Sequence, residues 1–207
     1  MEKTPPSSSR PVRTPRAASL DRDAWVKGAL AVLADDGLAG LRVEVLAKRL
    51  KVTKGSFYWH FKDRRDLFDA VLDAWKEGRI SDIRKQTRAA PGEELAALLH
   101  TIDVYSSVKN RKGIPIELAV RDWARRDERA AAVVQDVDAE RLACTHRLFI
   151  ALGHSEEEAS ARSVLLYAYV FGFSLMRCEG FDAEVARHKP WIADLISAPS
   201  RPADASA

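Results

Sequence analysis

The amino-acid sequence predicts an all-α protein of about nine helices, on the basis of composition, periodicity and capping. Ala, Leu, Arg, Glu and Asp are abundant while only 10 of the 207 residues are Gly, a composition that favours helix. Apolar residues recur at helical spacing along most of the chain. Residues that cap helices, such as Asp63 and Asp127, stand before several of these segments. The expected architecture is an N-terminal three-helix head followed by a larger helical body.

Several classes of protein are disfavoured by composition alone. No run reaches the roughly 18 apolar residues of a membrane span, and no charged-then-apolar signal segment opens the chain. We therefore expect a cytoplasmic protein with no membrane partner. The two cysteines, Cys144 and Cys178, lack the spacing of a metal site or a disulfide framework. They are interpreted as buried small side chains, with a redox-sensing pair as the alternative, and we expect neither a metal nor a cofactor.

Charge divides the chain into two unlike parts. Residues 1–65 carry 14 Lys and Arg against 7 Asp and Glu, a net charge of +7. Residues 66–207 carry 19 against 23, a net charge of −4. This asymmetry indicates a head that binds a polyanion, joined to a body with another task.

The head reads as a helix-turn-helix. Three helices are predicted, at about residues 20–36, 43–50 and 54–60. Ser19 or Asp21 can cap the first, and Thr53 is expected to cap the third. The turn between the second and third helices contains Lys51 where Gly is common. If that residue takes a left-handed conformation, it is strained by about 1–2 kcal/mol.

The segment from Thr53 to Phe61 is the predicted recognition helix for DNA. Phe57 and Phe61 lie four residues apart and share a face that can be buried, whereas Tyr58 and Trp59 project elsewhere. A glycine inside a helix costs roughly 1 kcal/mol relative to Ala, so Gly55 indicates close approach of the backbone to a partner.

The stretch from Gly40 to Leu72, and above all Phe-Tyr-Trp-His-Phe-Lys-Asp at residues 57–63, resembles the DNA-binding region of the tetracycline-repressor (TetR) family. With the first helix included, the resemblance covers about residues 20–75. It implies a major-groove face formed by Thr53, Lys54, Gly55, Ser56 and Trp59, and phosphate contacts from Tyr58, His60 and Arg64. Arg42 stands where the family commonly has a capping Ser or Thr that binds phosphate. Lys62 is one of the cations flanking this segment.

The chemistry of these side chains agrees with those roles. Lys54 can donate to guanine O6 or N7, and Ser56 can serve several base edges. Tyr58, His60 and Arg64 can donate to phosphates, which fix register without reading sequence. For His60 a purely structural role stays open.

Outside the head we expect two loose ends and a long body. Residues 1–18, rich in Pro and Ser, are predicted to be a disordered basic arm, which either touches DNA or is a passive tail. Residues 19–65 form the predicted DNA-binding domain, residues 66–197 the body, and residues 198–207 a second tail. The body helices are predicted at about residues 63–87, 93–108, 114–124 and 127–152, followed by an eighth helix that begins at a capping box of Ser155 and Glu158. A separate last helix is predicted at residues 191–196, after a break at Pro190.

The body is expected to form a homodimer. From Val164 to Met176 the eighth helix is apolar on every side, which suits a helix packed against its own core and against a second copy. The predicted interface residues are Leu165, Tyr169, Gly172, Met176, Trp191 and Leu195. A two-fold dimer places two recognition helices about 34–36 Å apart and reads a palindromic site.

The resemblance also implies a small-molecule pocket in the body, although the sequence does not identify the effector. Candidate pocket residues are His100, Asp103, Tyr105, Trp123, Cys144, His146, Phe149 and Phe171. Trp123 and Phe149 could equally be core, and His100 and Asp103 could face water. In the helix predicted from Glu93 to about Val108, the side chains of Leu95, Leu98, Leu99, Ile102 and Tyr105 are expected to face inward and be buried.

The predicted function is a ligand-responsive dimeric repressor that binds a palindromic operator in double-stranded DNA. One alternative is a DNA-binding protein without an effector, which would bind duplexes with little sequence preference. A helical enzyme is a second alternative. No nucleophile elbow, phosphate loop, zinc motif or dinucleotide fingerprint occurs, so we expect no enzymatic activity.

Overall fold

The computed structural model describes residues 20–106, 113–175 and 182–199. Within these ranges the chain forms nine α-helices, one 3-10 helix and no strand, so the all-α prediction is confirmed. The 3-10 helix η1 spans Leu38–Gly40. The α-helices are α1 Arg22–Asp36, α2 Val43–Arg49, α3 Lys54–Phe57, α4 Arg64–Gln86, α5 Glu94–Ser106, α6 Gly113–Ala124, α7 Glu128–Ala151, α8 Glu156–Leu175 and α9 Asp182–Ser197.

Helix starts follow the capping pattern in the sequence. The carboxylate of Asp21 accepts the backbone N–H of Ala24 at 2.8 Å, and Asp63 and Asp127 each accept the N–H three residues on at 2.9 Å. At the start of α8, the Glu158 N–H donates to Ser155 Oγ at 3.2 Å. Each bond satisfies an amide that has no partner within its own helix.

The predicted break at Pro190 is wrong, because α9 continues through it. The proline removes one hydrogen bond within the helix, yet α9 is held on both sides of it. Lys189 pairs with Asp103 of α5, and Arg162 of α8 donates to the carbonyl of Ile196 at 2.6 Å. Ala193 and Ile196 are buried in the core below. Tertiary packing therefore outweighs the local penalty.

Two hydrophobic cores organise the described residues. The larger core extends without interruption from Trp25, Phe57 and Phe61 in the head into α4, α6 and α7. The smaller core joins α5, α8 and α9 with the start of α6 and the end of α7. Leu98 and Ile102 belong to it as predicted, but Leu95 and Leu99 are exposed, which corrects the expectation that they are buried.

The interface between α4 and α7 carries a ladder of ion pairs at its solvent edge. Arg65 contacts Asp127 at 3.0 Å, and Arg84 contacts Glu140 at 2.8 Å. Between these ends Lys76 pairs with Asp136, and Arg129 pairs with Asp73. Since α4 begins in the head and ends in the body, this ladder ties the two parts together along the surface.

A buried ion pair joins α6 to α7. Arg141 and Glu117 are both almost fully buried, and the Arg141 guanidinium donates to the two Glu117 oxygens at 2.6 and 3.0 Å. Arg121 donates to Glu117 at 2.9 Å and to Asp138, so charge is compensated throughout the group. The Arg121 guanidinium also lies 4.3 Å from the centroid of the Phe171 ring.

The packing of the described residues does not require a glycine at position 78, inside α4. Gly78 is exposed, and a Cβ placed on it would meet nothing within 4 Å.

No helix of the described residues is both long and apolar enough to cross a membrane.

Candidate nucleic-acid interface

The turn of the helix-turn-helix is closed by a residue in the left-handed region. Lys51 has a φ of 57°, as its position in place of the common Gly suggested. The turn is fastened by the Val52 N–H, which donates to the carbonyl of Ala47 at 2.9 Å, and by the Lys51 N–H, which donates to Lys48 at 3.2 Å. These backbone bonds set the direction in which α3 leaves α2.

The recognition segment is shorter as a regular helix than predicted. The α-helix ends at Phe57, and a turn carries the chain to Phe61, whose N–H donates to the Phe57 carbonyl at 3.0 Å. Thr53 occupies the N-cap position, but its side chain makes no capping bond, which corrects that expectation. Instead Ser56 Oγ donates back to the Thr53 carbonyl at 2.8 Å.

The aromatic residues of the segment divide into an inner and an outer pair. Phe57 and Phe61 are buried and stacked with ring centroids 5.2 Å apart, and the Trp25 ring meets Phe57 edge-on at 5.5 Å. Tyr58 and Trp59 are 63% and 75% exposed. The buried phenylalanines thus fix the positions from which Tyr58 and Trp59 project into solvent. Exposed large aromatic side chains of this kind indicate a surface that contacts a partner.

Gly55 is not required by the packing of this chain. Its φ is ordinary, and a Cβ placed there would meet only Thr53 Oγ1, at 3.8 Å. The residue is exposed at the start of α3, so the space over its backbone is open to a partner.

Lys54 is paired with Glu44 of α2, with 2.6 Å between the ammonium nitrogen and the carboxylate oxygen. The hydrogen bond from Lys54 is the main cause that lowers the pKa of Glu44. Both side chains are exposed, so water screens the pair and its exchange for a contact to a base costs little.

Arg22 holds the far end of the recognition segment and was missed in the sequence. Its guanidinium donates to the carbonyl of His60 and to the Asp66 carboxylate, the latter at 2.7 Å, and lies 4.3 Å from the Phe61 ring centroid. Asp66 in turn accepts the Lys62 N–H at 3.0 Å. The Arg22 bond is the main cause that lowers the pKa of Asp66. Because 44 residues separate Arg22 from Asp66, no local pattern could have revealed the contact.

The remaining predicted DNA-contact residues differ in placement. Arg42 and Lys62 are exposed, and Arg42 makes no capping bond at the start of α2. His60 is half-buried. Arg64 Nε donates to the Leu41 carbonyl at 3.1 Å, and its guanidinium lies 4.7 Å from the Phe68 ring centroid, at the junction of head and body.

The predicted pocket residues are not brought together as one group. Trp123 and Cys144 lie in the larger core, whereas Phe149 is buried in the smaller one and Phe171 packs beside it. His100 and Asp103 are exposed, and His146 lies 3.0 Å from Glu156. The Tyr105 side chain and Cys178 lie outside the described part of the chain.

The predicted dimer residues form an apolar face with little cover from their own chain. Leu165, Trp191 and Leu195 are 48%, 66% and 54% exposed. The half-buried Tyr169 has a hydroxyl that is shielded from water and has no hydrogen-bond partner among the described residues, and burial raises its pKa. A Cβ on Gly172 would meet nothing within 4 Å. Met176 lies outside the described residues.

Comparison with known proteins shows which family the head resembles. Residues 26–71 match the family described as bacterial regulatory proteins, tetR family. The chain is 46% identical over 55 residues to the tetracycline repressor protein class C of Escherichia coli, covering 27% of this chain and 25% of that protein. It is 31% identical over 87 residues to the HTH-type transcriptional regulator AcrR of Shigella flexneri, covering 42% and 40%. The matched regions thus span about a quarter to two fifths of these relatives.

Solved structures extend the likeness to the whole fold. A transcriptional regulator from Rhodococcus sp. Rha1 superposes with a TM-score of 0.65 at 19% identity, covering 86% of this chain and 92% of that one. Salmonella enterica GusR also gives a TM-score of 0.65, at 14% identity, covering 89% and 96%. The head match, the helix-turn-helix geometry and the shared fold confirm the resemblance seen in the sequence. Residues 26–71 therefore resemble the DNA-binding region of the tetR family of bacterial regulatory proteins, and the rest of the chain shares the fold of these solved regulators.

Proposed function

We propose that this protein is a dimeric transcriptional repressor that binds a palindromic operator in double-stranded DNA. The observation that carries the proposal is the division of the recognition segment, in which buried Phe57 and Phe61 hold Tyr58 and Trp59 out in water beside Lys54. In this proposal Lys54, Ser56 and Trp59 face bases, with Thr53 and Gly55 beside them. Tyr58, His60, Lys62, Arg42 and Arg64 contact phosphates.

The homodimer is the second part of the proposal. A single recognition segment reads too few base pairs to find one site in a genome. The exposed apolar side chains on α8 and α9, such as Leu165, Trp191 and Leu195, support a second copy as their partner. Such a dimer presents two heads about 34–36 Å apart, one turn of duplex.

The third part is control of operator binding by a small effector. An effector acts only if it binds more tightly to one spacing of the two heads than to the other. Of the eight predicted pocket residues, four are divided between the two cores and His100 and Asp103 are exposed, which favours the alternative of a regulator whose body holds no effector. We propose that the protein acts as a cytoplasmic regulator and performs no catalysis.

The test is selection of binding sites from random duplexes by the purified full chain, followed by footprinting. The expected result is a palindrome with half-sites about one helical turn apart. Recovery of unrelated sequences, with affinity that depends steeply on salt alone, would indicate an architectural DNA-binding protein and overturn the proposal. A monomer that binds no duplex at low salt would overturn it as well.

A further inference from the structure

A cavity of about 350 Å³ lies where the head meets the body. Its walls come from η1 and the first turns of α4 on one side, and from the end of α6 and the start of α7 on the other. The volume lies at the small end of the range for small-molecule sites. Trp123 lines it, and none of the other predicted effector-binding residues does so among the side chains that the structure describes.

The floor of the cavity is apolar and aromatic. The Phe68 ring meets the Trp123 ring edge-on with 4.9 Å between centroids, and Leu38 closes one side. Trp123 is buried in the larger core, so its ring is fixed in place. A flat aromatic ligand could pack against these two rings in an edge-to-face or offset arrangement.

The rim of the cavity carries three arginines and one aspartate, and these side chains differ in whether they already have an ionic partner. Arg65 contacts Asp127 at 3.0 Å, and Asp127 also caps α7 through the Ala130 N–H, so this acid is already satisfied. The Ala130 bond and then Arg65 lower the pKa of Asp127. Arg64 and Arg126 form no ion pair with any carboxylate in the part of the chain that the structure describes.

We propose that this junction cavity binds a small aromatic carboxylate. Its ring packs on Phe68 and Trp123, and its carboxylate accepts hydrogen bonds from the guanidinium groups of Arg64 and Arg126. A neutral ligand of the same shape leaves both guanidinium groups without a counter-charge, so the site discriminates by charge. Binding here requires neither DNA nor an effector in the body, so the inference stands apart from the proposed function.

Occupation of the cavity would fasten the head to the body. Arg64 starts α4 and already donates to Leu41 of the head, whereas Arg126 lies between α6 and α7. A carboxylate shared by the two arginines therefore adds a second ionic bridge between the start of α4 and the α6–α7 junction, beside the Arg65–Asp127 pair. Arg64 would also be drawn towards the cavity and away from any phosphate.

The experiment is calorimetric titration of the full chain with 1-naphthoate, and with 1-naphthamide as the neutral probe. Arg126→Gln removes one guanidinium, and Arg125→Gln is the matched control, since both side chains are exposed and Arg125 does not line the cavity. Thermal unfolding of each variant verifies that it is folded. The titrations contain no DNA, so their outcome is independent of operator binding.

The expected result is saturable binding of 1-naphthoate to the natural chain and to Arg125→Gln with Kd below about 1 mM. Arg126→Gln weakens binding by about tenfold, as loss of a charge-assisted hydrogen bond should. The amide binds the natural chain about tenfold more weakly than the acid. Absence of saturable binding, equal affinity in the two variants, or equal affinity for acid and amide each overturns the proposal.

Discussion

The recognition segment and the α8–α9 face both expose large apolar side chains, but the side chains that surround them differ in charge. Tyr58 and Trp59 stand among Lys54, Lys62 and Arg42 in the first third of the chain, which has excess positive charge. On α8 and α9, Leu165, Trp191 and Leu195 are exposed beside other apolar residues such as Val164 and Leu175. Aromatic groups with cations suit a polyanion whose bases can be contacted, whereas a contiguous apolar face suits another protein surface.

Leu165→Glu tests the apolar face and has the largest expected effect. An unpaired charge in a buried interface costs several kcal/mol, so the dimer dissociation constant should rise at least about 100-fold. Sedimentation equilibrium over a range of concentrations measures it. Leu142→Glu places the same charge on an exposed leucine of α7 and should leave dimerisation unchanged. Dimers that persist in Leu165→Glu would remove α8 from the interface.

Lys54→Ala tests the recognition segment. Loss of a base contact should lower discrimination against the wrong base pair by about 1–3 kcal/mol while the fold is kept. Competition between selected and substituted duplexes measures that ratio. Tyr58→Phe should instead weaken binding to all sequences alike, and Lys85→Ala, an exposed lysine far along α4, should change neither quantity. Unaltered discrimination in Lys54→Ala would contradict the assignment.

Arg22→Ala tests how the segment is held. Loss of the bonds to His60 and Asp66 should lower the free energy of unfolding by about 1 kcal/mol at neutral pH. The pKa of Asp66 is lower in the folded chain, so its contribution is present at neutral pH and lost as pH falls. The difference between the variant and the natural chain should therefore shrink as Asp66 is protonated in acid, leaving the part that comes from the bond to the His60 carbonyl.

Urea unfolding at neutral and acid pH measures this decrease in the difference. Lys27→Ala, on the exposed side of the same helix, is the control and should match the natural chain at every pH. If the free energy of unfolding of Arg22→Ala differs from that of the natural chain by the same amount at every pH, Asp66 does not contribute to the effect.

Gly78→Ala has the smallest expected effect and tests the connection between the two regions. The site is exposed, helical and open, so alanine should raise the free energy of unfolding by about 0.5–1 kcal/mol. Urea unfolding checks the gain, with Gly40→Ala as the opposite case, because a Cβ on Gly40 would lie 2.5 Å from Asp36 Cβ. A loss of stability in Gly78→Ala would mean that α4 is not regular there.

The sequence predicted what local chemistry determines and missed what tertiary contact determines. Capping aspartates at positions 21, 63 and 127 marked helix starts because each bond spans only three residues. The inner and outer aromatics of the recognition segment followed from helical periodicity. The continuity of α9 through Pro190 depends on α5 and α8, which a linear pattern does not contain.

Long-range contacts explain the other misses. Leu95 and Leu99 are as apolar as Leu98, and only the position of α5 against its neighbours decides which are buried. The junction cavity joins residues from four elements between 38 and 127, a set without any common motif.

The buried Glu117–Arg141 pair has a mechanical consequence. If α6 slid along α7 by one turn, the buried bonds between Glu117 and Arg141 would break, and each ion would keep only a partner on its own helix, Arg121 for Glu117 and Asp138 for Arg141. The relative position of α6 and α7 is therefore fixed by this pair, and the two helices should move as one rigid unit. Water can replace each of the exposed ion pairs between α4 and α7 as it opens. Movement along that solvent edge therefore costs less ionic contact than movement between α6 and α7, and the buried contact of Arg79 on α4 with Glu117, at 3.5 Å, is what opposes it.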